Sequence, residues 1–171
     1  MMSRHALTMV LASIALIPIA TLADELKVEP DPENVVASRL EGKWQTHTSL
    51  TQQLTGNAKS RTKTLSFKSD PSVAAKVPDK YTKFFTENKM KVYLAGVLNL
   101  DGNDYPFVLT LYRGNPHVAY FRERDGDPFG DSESFNVMLA VAEADQNDLL
   151  FVGGDFNNQA FAAFERTKPD K

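Results

Sequence analysis

The chain contains no cysteine, which excludes disulfide bonds, thiolate metal sites, cysteine nucleophiles and lipid attachment at cysteine. It also has no excess of basic residues: 19 lysines and arginines stand against 22 acids, and the formal net charge is −3. A charge of this sign gives no electrostatic basis for binding nucleic acid. With 42% hydrophobic and 24% charged residues in a chain of 171, the composition is that of one folded domain and excludes a disordered or polytopic membrane chain.

Recognisable enzyme signatures are missing as well. The sequence has no Gly-x-Ser-x-Gly elbow, no His-Glu-x-x-His zinc motif, no phosphate-binding Gly-x-x-x-x-Gly-Lys loop and no dinucleotide fingerprint. Beyond the N-terminal segment the histidines are His47 and His117, too few for the three or four ligands of a zinc site. We therefore expect a protein that is not an enzyme and that holds no metal and no cofactor.

The longest uncharged run lies at the N-terminus. Arg4 precedes residues 6–22, which carry no charge, and Thr21 and Ala23 place small side chains just before Asp24. A positively charged N-terminal region, an apolar run and small residues at the cleavage site are the three parts of a secretory signal peptide. We expect residues 1–23 to be a signal peptide and the protein to be secreted or periplasmic, with no stable membrane insertion after cleavage. A retained membrane anchor is the alternative, although the run is barely long enough to span.

From residue 40 onward, short strands alternate with turn residues. The candidate strands are residues 44–50, 64–68, 91–100, 105–112, 117–122, 134–142, 149–152 and 161–166. Eight antiparallel strands joined mainly by short turns favour closure into an up-and-down β-barrel, because closure leaves no unpaired edge. A sandwich is the alternative, but it needs longer crossing connections. We predict an all-β domain over residues 40–168, preceded by a flexible acidic lead-in over residues 24–39.

A helical segment interrupts the strands between the second and the third. Asp70-Pro71 offers an acidic cap followed by proline in the first turn, and Pro78-Asp79 offers a second helix start. Tyr81, Phe84 and Phe85 then follow at helical spacing. This aromatic stripe predicts a short helix packed on the barrel, at its mouth or on its wall.

Gly42 and Trp44 open the first strand, and Arg166 lies near the end of the last. In these residues and in the strand count the chain resembles the calycin superfamily, and most closely the small, secreted, lipocalin-like domains of bacteria, most of them uncharacterised. The resemblance covers residues 40–168 and implies that Arg166 packs across Trp44 as a structural signature. The sequence departs from many lipocalins: it has no mid-chain Thr-Asp-Tyr motif, and the helical segment predicted here follows the second strand instead of lying beside the last.

The fold implied by this resemblance encloses an interior that side chains fill or that holds one small ligand. Alternation predicts these inward side chains: Leu65, Phe67, Leu94, Leu98, Phe107, Leu109, Leu111, Phe135, Val137, Leu139, Leu149 and Phe151. We expect a small apolar ligand in the barrel or at its mouth, bound by Tyr81, Phe84, Phe85, Phe107 and Phe135. The alternative is a filled barrel that acts as a protein-interaction or inhibitor module in the cell envelope.

Asp125, Asp127, Asp131 and Glu133 crowd one short stretch together with glycine and serine. Carboxylate oxygens of this kind are calcium ligands, but their spacing does not fit an EF-hand loop. A solvated acidic turn is the simpler interpretation.

Overall fold

The computed structural model describes residues 26–29, 37–56, 62–112, 115–141, 148–153 and 162–167. The predicted signal peptide and most of the predicted lead-in lie outside these residues. The strands are β1 (Gly42–Thr46), β2 (Thr64–Ser69), β3 (Val92–Leu100), β4 (Asn103–Tyr112), β5 (Asn115–Arg124), β6 (Asp127–Val141), β7 (Asp148–Gly153) and β8 (Ala162–Arg166). The helices are α1 (Ala37–Leu40), α2 (Thr48–Thr55), a 3₁₀ helix (Pro71–Lys76) and α3 (Asp79–Glu87).

The eight strands form one closed antiparallel barrel in which each strand pairs with the next along the chain. Pairing of β1 with β8 completes the ring and sets Trp44 opposite Arg166 and Thr46 opposite Phe164. The predicted fold class, an eight-stranded up-and-down barrel with a helical segment between the second and third strands, is confirmed. The predicted turn at Asp101-Gly102 is also present, with positive φ at both residues, as a tight hairpin requires.

Side chains from all eight strands meet in one buried cluster inside the barrel. Its buried members are Leu40, Trp44, Leu65, Phe67, Leu94, Leu98, Phe107, Leu109, Val118, Tyr120, Phe135, Val137, Leu150 and Phe164. Nine of the twelve predicted inward side chains belong to this cluster or pack against it; Leu111, near the end of β4, and the two on β7 do not. Leu150 and Val152, not Leu149 and Phe151, pack against the interior cluster. Large side chains occupy this interior, as an eight-stranded barrel allows.

The first strand is shorter than predicted. Residues 48–50 lie in α2 because His47 caps this helix: its Nδ1 accepts a hydrogen bond from the Leu50 amide at 3.4 Å. Buried Thr51 fixes α2 against β8, since its hydroxyl accepts a hydrogen bond from the Ala163 amide at 3.0 Å. The helix ends at Gly56 in a left-handed conformation.

The helical segment between β2 and β3 packs on the outer wall of the barrel. Asp70 caps the 3₁₀ helix by accepting hydrogen bonds from the Ser72 amide and hydroxyl, at 3.1 and 2.6 Å. A second buried cluster joins both helices to outward side chains of β3, β4 and β5: Val73, Ala74, Val77, Phe85, Met90, Val92, Ala95, Val108, Ala119 and Phe121. Of the two positions expected for this helix, the mouth and the wall, the structure shows the wall, because the helix covers outward apolar side chains of the strands.

Part of the predicted lead-in also joins this outer layer. Val28 forms a parallel bridge with Val92, and the Glu29 amide donates to the Val92 carbonyl at 2.7 Å. Leu26 and Val28 pack against the outer cluster. Strand β3 has apolar contacts on both faces, because Leu94 and Leu98 belong to the interior cluster and Val92 and Ala95 to the outer one.

The closing seam between β1 and β8 is held by Arg166 and Trp44. The guanidinium carbon lies 4.3 Å from the centroid of the indole ring, an arrangement worth roughly 0.5–2 kcal/mol. Arg166 also donates to the carbonyls of Glu41 and Arg39 and to the carboxylate of Asp148. Trp44 is buried and donates its indole N–H to the Leu40 carbonyl at 2.9 Å. These contacts tie α1 to the end of the barrel.

Gly42 makes this closure sterically possible. Its φ is +121°, which side chains rarely adopt, and an added Cβ would lie 2.7 Å from Nη1 of Arg166. Glycine therefore leaves the room in which the guanidinium reaches the carbonyl of Glu41. This is the physical reason for a glycine at position 42.

We predict that Trp44→Ala lowers the free energy of unfolding by about 3–5 kcal/mol, because it opens a cavity where the largest fully buried side chain stood. Arg166→Ala should cost less, about 1–3 kcal/mol, from lost stacking and charged hydrogen bonds. Urea unfolding measures both values, with Lys43→Ala, an exposed neighbour on β1, as control. An unchanged midpoint for Trp44→Ala would contradict the role of this seam.

Candidate functional site

A groove runs along the outer wall between α3 and strands β5 and β6. It encloses about 420 Å³, within the range of small-molecule sites. Its lining residues are Tyr81, Phe84, Phe85, Asn88, Met90, His117, Ala119, Phe121, Ser132, Glu133 and Ser134. We call this feature the α3 groove.

The helical side and the floor of the α3 groove are apolar. Phe85 is buried, while Phe84 keeps 54% of its surface exposed and its ring centroid lies 5.9 Å from that of Phe85. Tyr81 packs on Phe121 with ring centroids 5.0 Å apart. Phe84 therefore offers an open aromatic face at the rim, while its neighbours are held by the wall.

The end of α3 sets the position of these rings. Asn88 donates from its side chain to the Phe84 carbonyl at 2.8 Å, and the Met90 amide donates to the Phe85 carbonyl at 2.8 Å. Between them Lys89 takes a positive φ of 53°. The chain thus turns sharply and places Met90 back in the groove.

The opposite side of the α3 groove is polar. Register places Ser132 opposite Phe121, Ser134 opposite Ala119, and Asn136 opposite His117. Because alternate residues of a strand share a face, the two serines line the groove while Phe135 points into the barrel. One molecule in the groove would contact aromatic rings on one side and hydroxyls on the other.

Two ionisable groups near the groove have shifted pKa values. Burial lowers the pKa of His117, which keeps its imidazole neutral at pH 7. Burial, followed by the hydrogen bond to Glu133, raises the pKa of Tyr120, so the phenol stays protonated and donates to that carboxylate. Glu133 also pairs with Arg122 at 2.5 Å. Its charge is therefore balanced before any ligand arrives.

The predicted binding residues divide into two groups. Tyr81, Phe84 and Phe85 line the α3 groove, whereas Phe107 and Phe135 belong to the interior cluster. Phe107 packs edge-on against Phe67, with ring centroids 5.4 Å apart. The wall of the barrel separates the two groups, so the five side chains do not form one site.

The polar side of the groove was not predicted from the sequence. The predicted strand began at residue 134, whereas β6 begins at Asp127. The alternation of Ser132, Ser134 and Asn136 with Phe135 and Val137 is the signal that could have revealed it. The nearby acidic residues hid this pattern by suggesting a turn.

The acidic stretch is mainly strand. Only Asp125-Gly126 makes the turn, with φ of 56° and 81°. Asp127 accepts a hydrogen bond from the Phe129 amide at 2.9 Å, and Glu133 is paired with Arg122. Over the described ranges, no group of three or more histidine or acidic side chains is placed to hold a metal ion.

Comparison of the chain with protein-family models, with curated proteins and with solved structures gave no match. The closed antiparallel eight-stranded barrel is consistent with a calycin-like fold, and membership of the superfamily stays a prediction. None of the helices in the described part of the chain has the length and apolar character needed to cross a membrane.

We predict that His117 makes stability depend on pH. Its pKa is lowered in the folded state, so the unfolded chain binds the proton more readily and the free energy of unfolding falls as pH drops below about 6.5. Urea unfolding at pH 7.5 and 5.5 should show a larger loss for the wild type than for His117→Asn. Equal losses would contradict the prediction; His47, present in both proteins, cancels in the comparison.

Proposed function

We propose that this protein is a non-catalytic, calycin-like binding protein that holds a small, mostly apolar molecule in the α3 groove. The observation that carries the proposal is the exposed ring of Phe84 beside a groove of about 420 Å³ lined by aromatic side chains. Sites for small molecules are concave and mostly apolar, with a few polar groups that fix orientation. The polar groups here are Ser132, Ser134, Asn88 and His117.

The filled interior supports a site on the wall over one inside the barrel. Trp44, Phe107 and Phe164 are almost fully buried there, and a ligand would have to displace such side chains from a packed cluster. At the outer groove a ligand needs only to cover rings that are already partly exposed. We therefore place the ligand expected from the sequence outside the barrel.

We further infer that the chain acts outside the cytoplasm, because its first 23 residues have the pattern of a cleaved signal peptide. On expression in a bacterium with intact secretion, mass spectrometry of the exported protein should find Asp24 at the amino terminus. Recovery of the uncleaved chain from the membrane fraction would instead favour the anchor interpretation.

Binding can be tested with a dye such as Nile red, which brightens in apolar surroundings. We expect the folded protein to bind the dye and Phe84→Ala to weaken binding about tenfold, because truncation removes most of the ring's apolar contact area. The free energy of unfolding should change little, since Phe84 is exposed. Leu54→Ala is the matched control: Leu54 is 47% exposed but lies on α2, away from the groove.

A second candidate function is the filled-barrel interaction module. Met138 is 58% exposed on the outer face of β6 and stands opposite Phe151 of β7. Together these side chains give an apolar surface on a wall that the described helices do not cover, and such surfaces contact other proteins. If the folded protein takes up no dye, or if Phe84→Ala binds it as well as the wild type does, this second candidate replaces the first.

A further inference from the structure

The polar side of the α3 groove is a row of side chains and not a single polar group. Ser132 and Ser134 lie on alternate positions of β6, and His117 of β5 pairs with the next alternate position, Asn136. Alternate residues on a strand are about 6.6–6.8 Å apart, so the distance from Ser132 to the level of His117 is about 13 Å. Polar groups therefore follow the length of the groove, and the aromatic rings of α3 face them.

The charge of the side chains that line the groove excludes amphiphiles with an anionic head group. Among the described residues that line the groove there is no lysine or arginine, and the one acid, Glu133, is paired with Arg122. Both lysines of α3 have other partners. Lys80 donates to the Gly130 carbonyl at 3.4 Å and lies over the Tyr81 ring. Lys83 lies 3.8 Å from the carboxylate of Glu87. A carboxylate or phosphate head group would lose its hydration here without gaining a cation.

We propose that the ligand of the α3 groove is a neutral facial amphiphile: a molecule about 13 Å long with one apolar face and hydroxyl or amide groups along the opposite edge. The apolar face packs on Phe84, Phe85 and Met90. The polar edge exchanges hydrogen bonds with Ser132 and Ser134, whose hydroxyls both donate and accept. A fatty acid, which is polar only at one charged end, leaves this row without partners.

This inference rests on the proposed function and sharpens it to a ligand class. Displacement of Nile red by three probes tests it: a neutral steroid with hydroxyls along one face, the same steroid skeleton carrying a carboxylate, and a C16 fatty acid. We expect the neutral steroid to bind at least about tenfold more tightly than either anion. Because each neutral hydrogen bond contributes modestly, the double variant Ser132→Ala/Ser134→Ala should bind the neutral steroid about tenfold more weakly and the dye unchanged.

Ser49→Ala is the matched control, since Ser49 is exposed on α2 and does not line the groove. Thermal melting of each variant checks that the barrel is intact. If the fatty acid competes as well as the neutral steroid, or if the double serine variant binds the steroid normally, the ligand class is wrong while dye binding through Phe84 still stands. Absence of both dye and steroid binding would instead overturn the proposed function.

Discussion

The pairing of β1 with β8 is the contact on which the closed barrel depends, and the guanidinium of Arg166 lies over the indole of Trp44 at this seam. A sheet of eight strands becomes a barrel only if its first and last strands pair, and here that pairing places Arg166 opposite Trp44. The guanidinium also reaches two carbonyls at α1 and the carboxylate of Asp148 at the start of β7. Arg39 binds the same carboxylate. One cation network therefore joins β1, β7, β8 and the N-terminal helix.

The outer groove follows from the way the other side of the barrel is covered. Val108, Ala119 and Phe121 give β4 and β5 apolar outer faces as well as apolar inner ones. A wall that is apolar on both faces must be covered, and the 3₁₀ helix and α3 cover it. These two helices do not cover the outer face of β6, where Ser132 and Ser134 are exposed. The groove is the space between the edge of the helix and the polar strand beside it.

The sequence was informative where one local pattern decides the structure. Asp70-Pro71 marked a helix start because cap and proline are adjacent, and Asp101-Gly102 marked a hairpin because both residues accept positive φ. Gly42, Trp44 and Arg166 could be grouped only through a family resemblance, since 122 positions separate the last two. Residues 48–50 alternate like a strand, yet their helix is fixed by the distant contact between Thr51 and Ala163.

One further error and one choice left open have physical causes of the same kind. Residues 149–152 are all apolar, so alternation cannot choose the inward face; pairing with β6 and β8 chooses it. Helix α3 packs where the outer wall is apolar. Which side chains face outward there depends on the register of β3, β4 and β5. The aromatic stripe predicted a helix that packs on the barrel, and only the assembled sheet decides between mouth and wall.

The seam between β1 and β8 also bears on how the chain reaches its native state. The pairs at this seam join residues near positions 44 and 166, and contacts between such distant segments form slowly because a long loop must close first. Until they form, the first and last strands expose unpaired backbone edges that can recruit another chain. Arg166 anchors several groups at this seam, and so it stabilises the closed form, in which both edges are paired, relative to the open one.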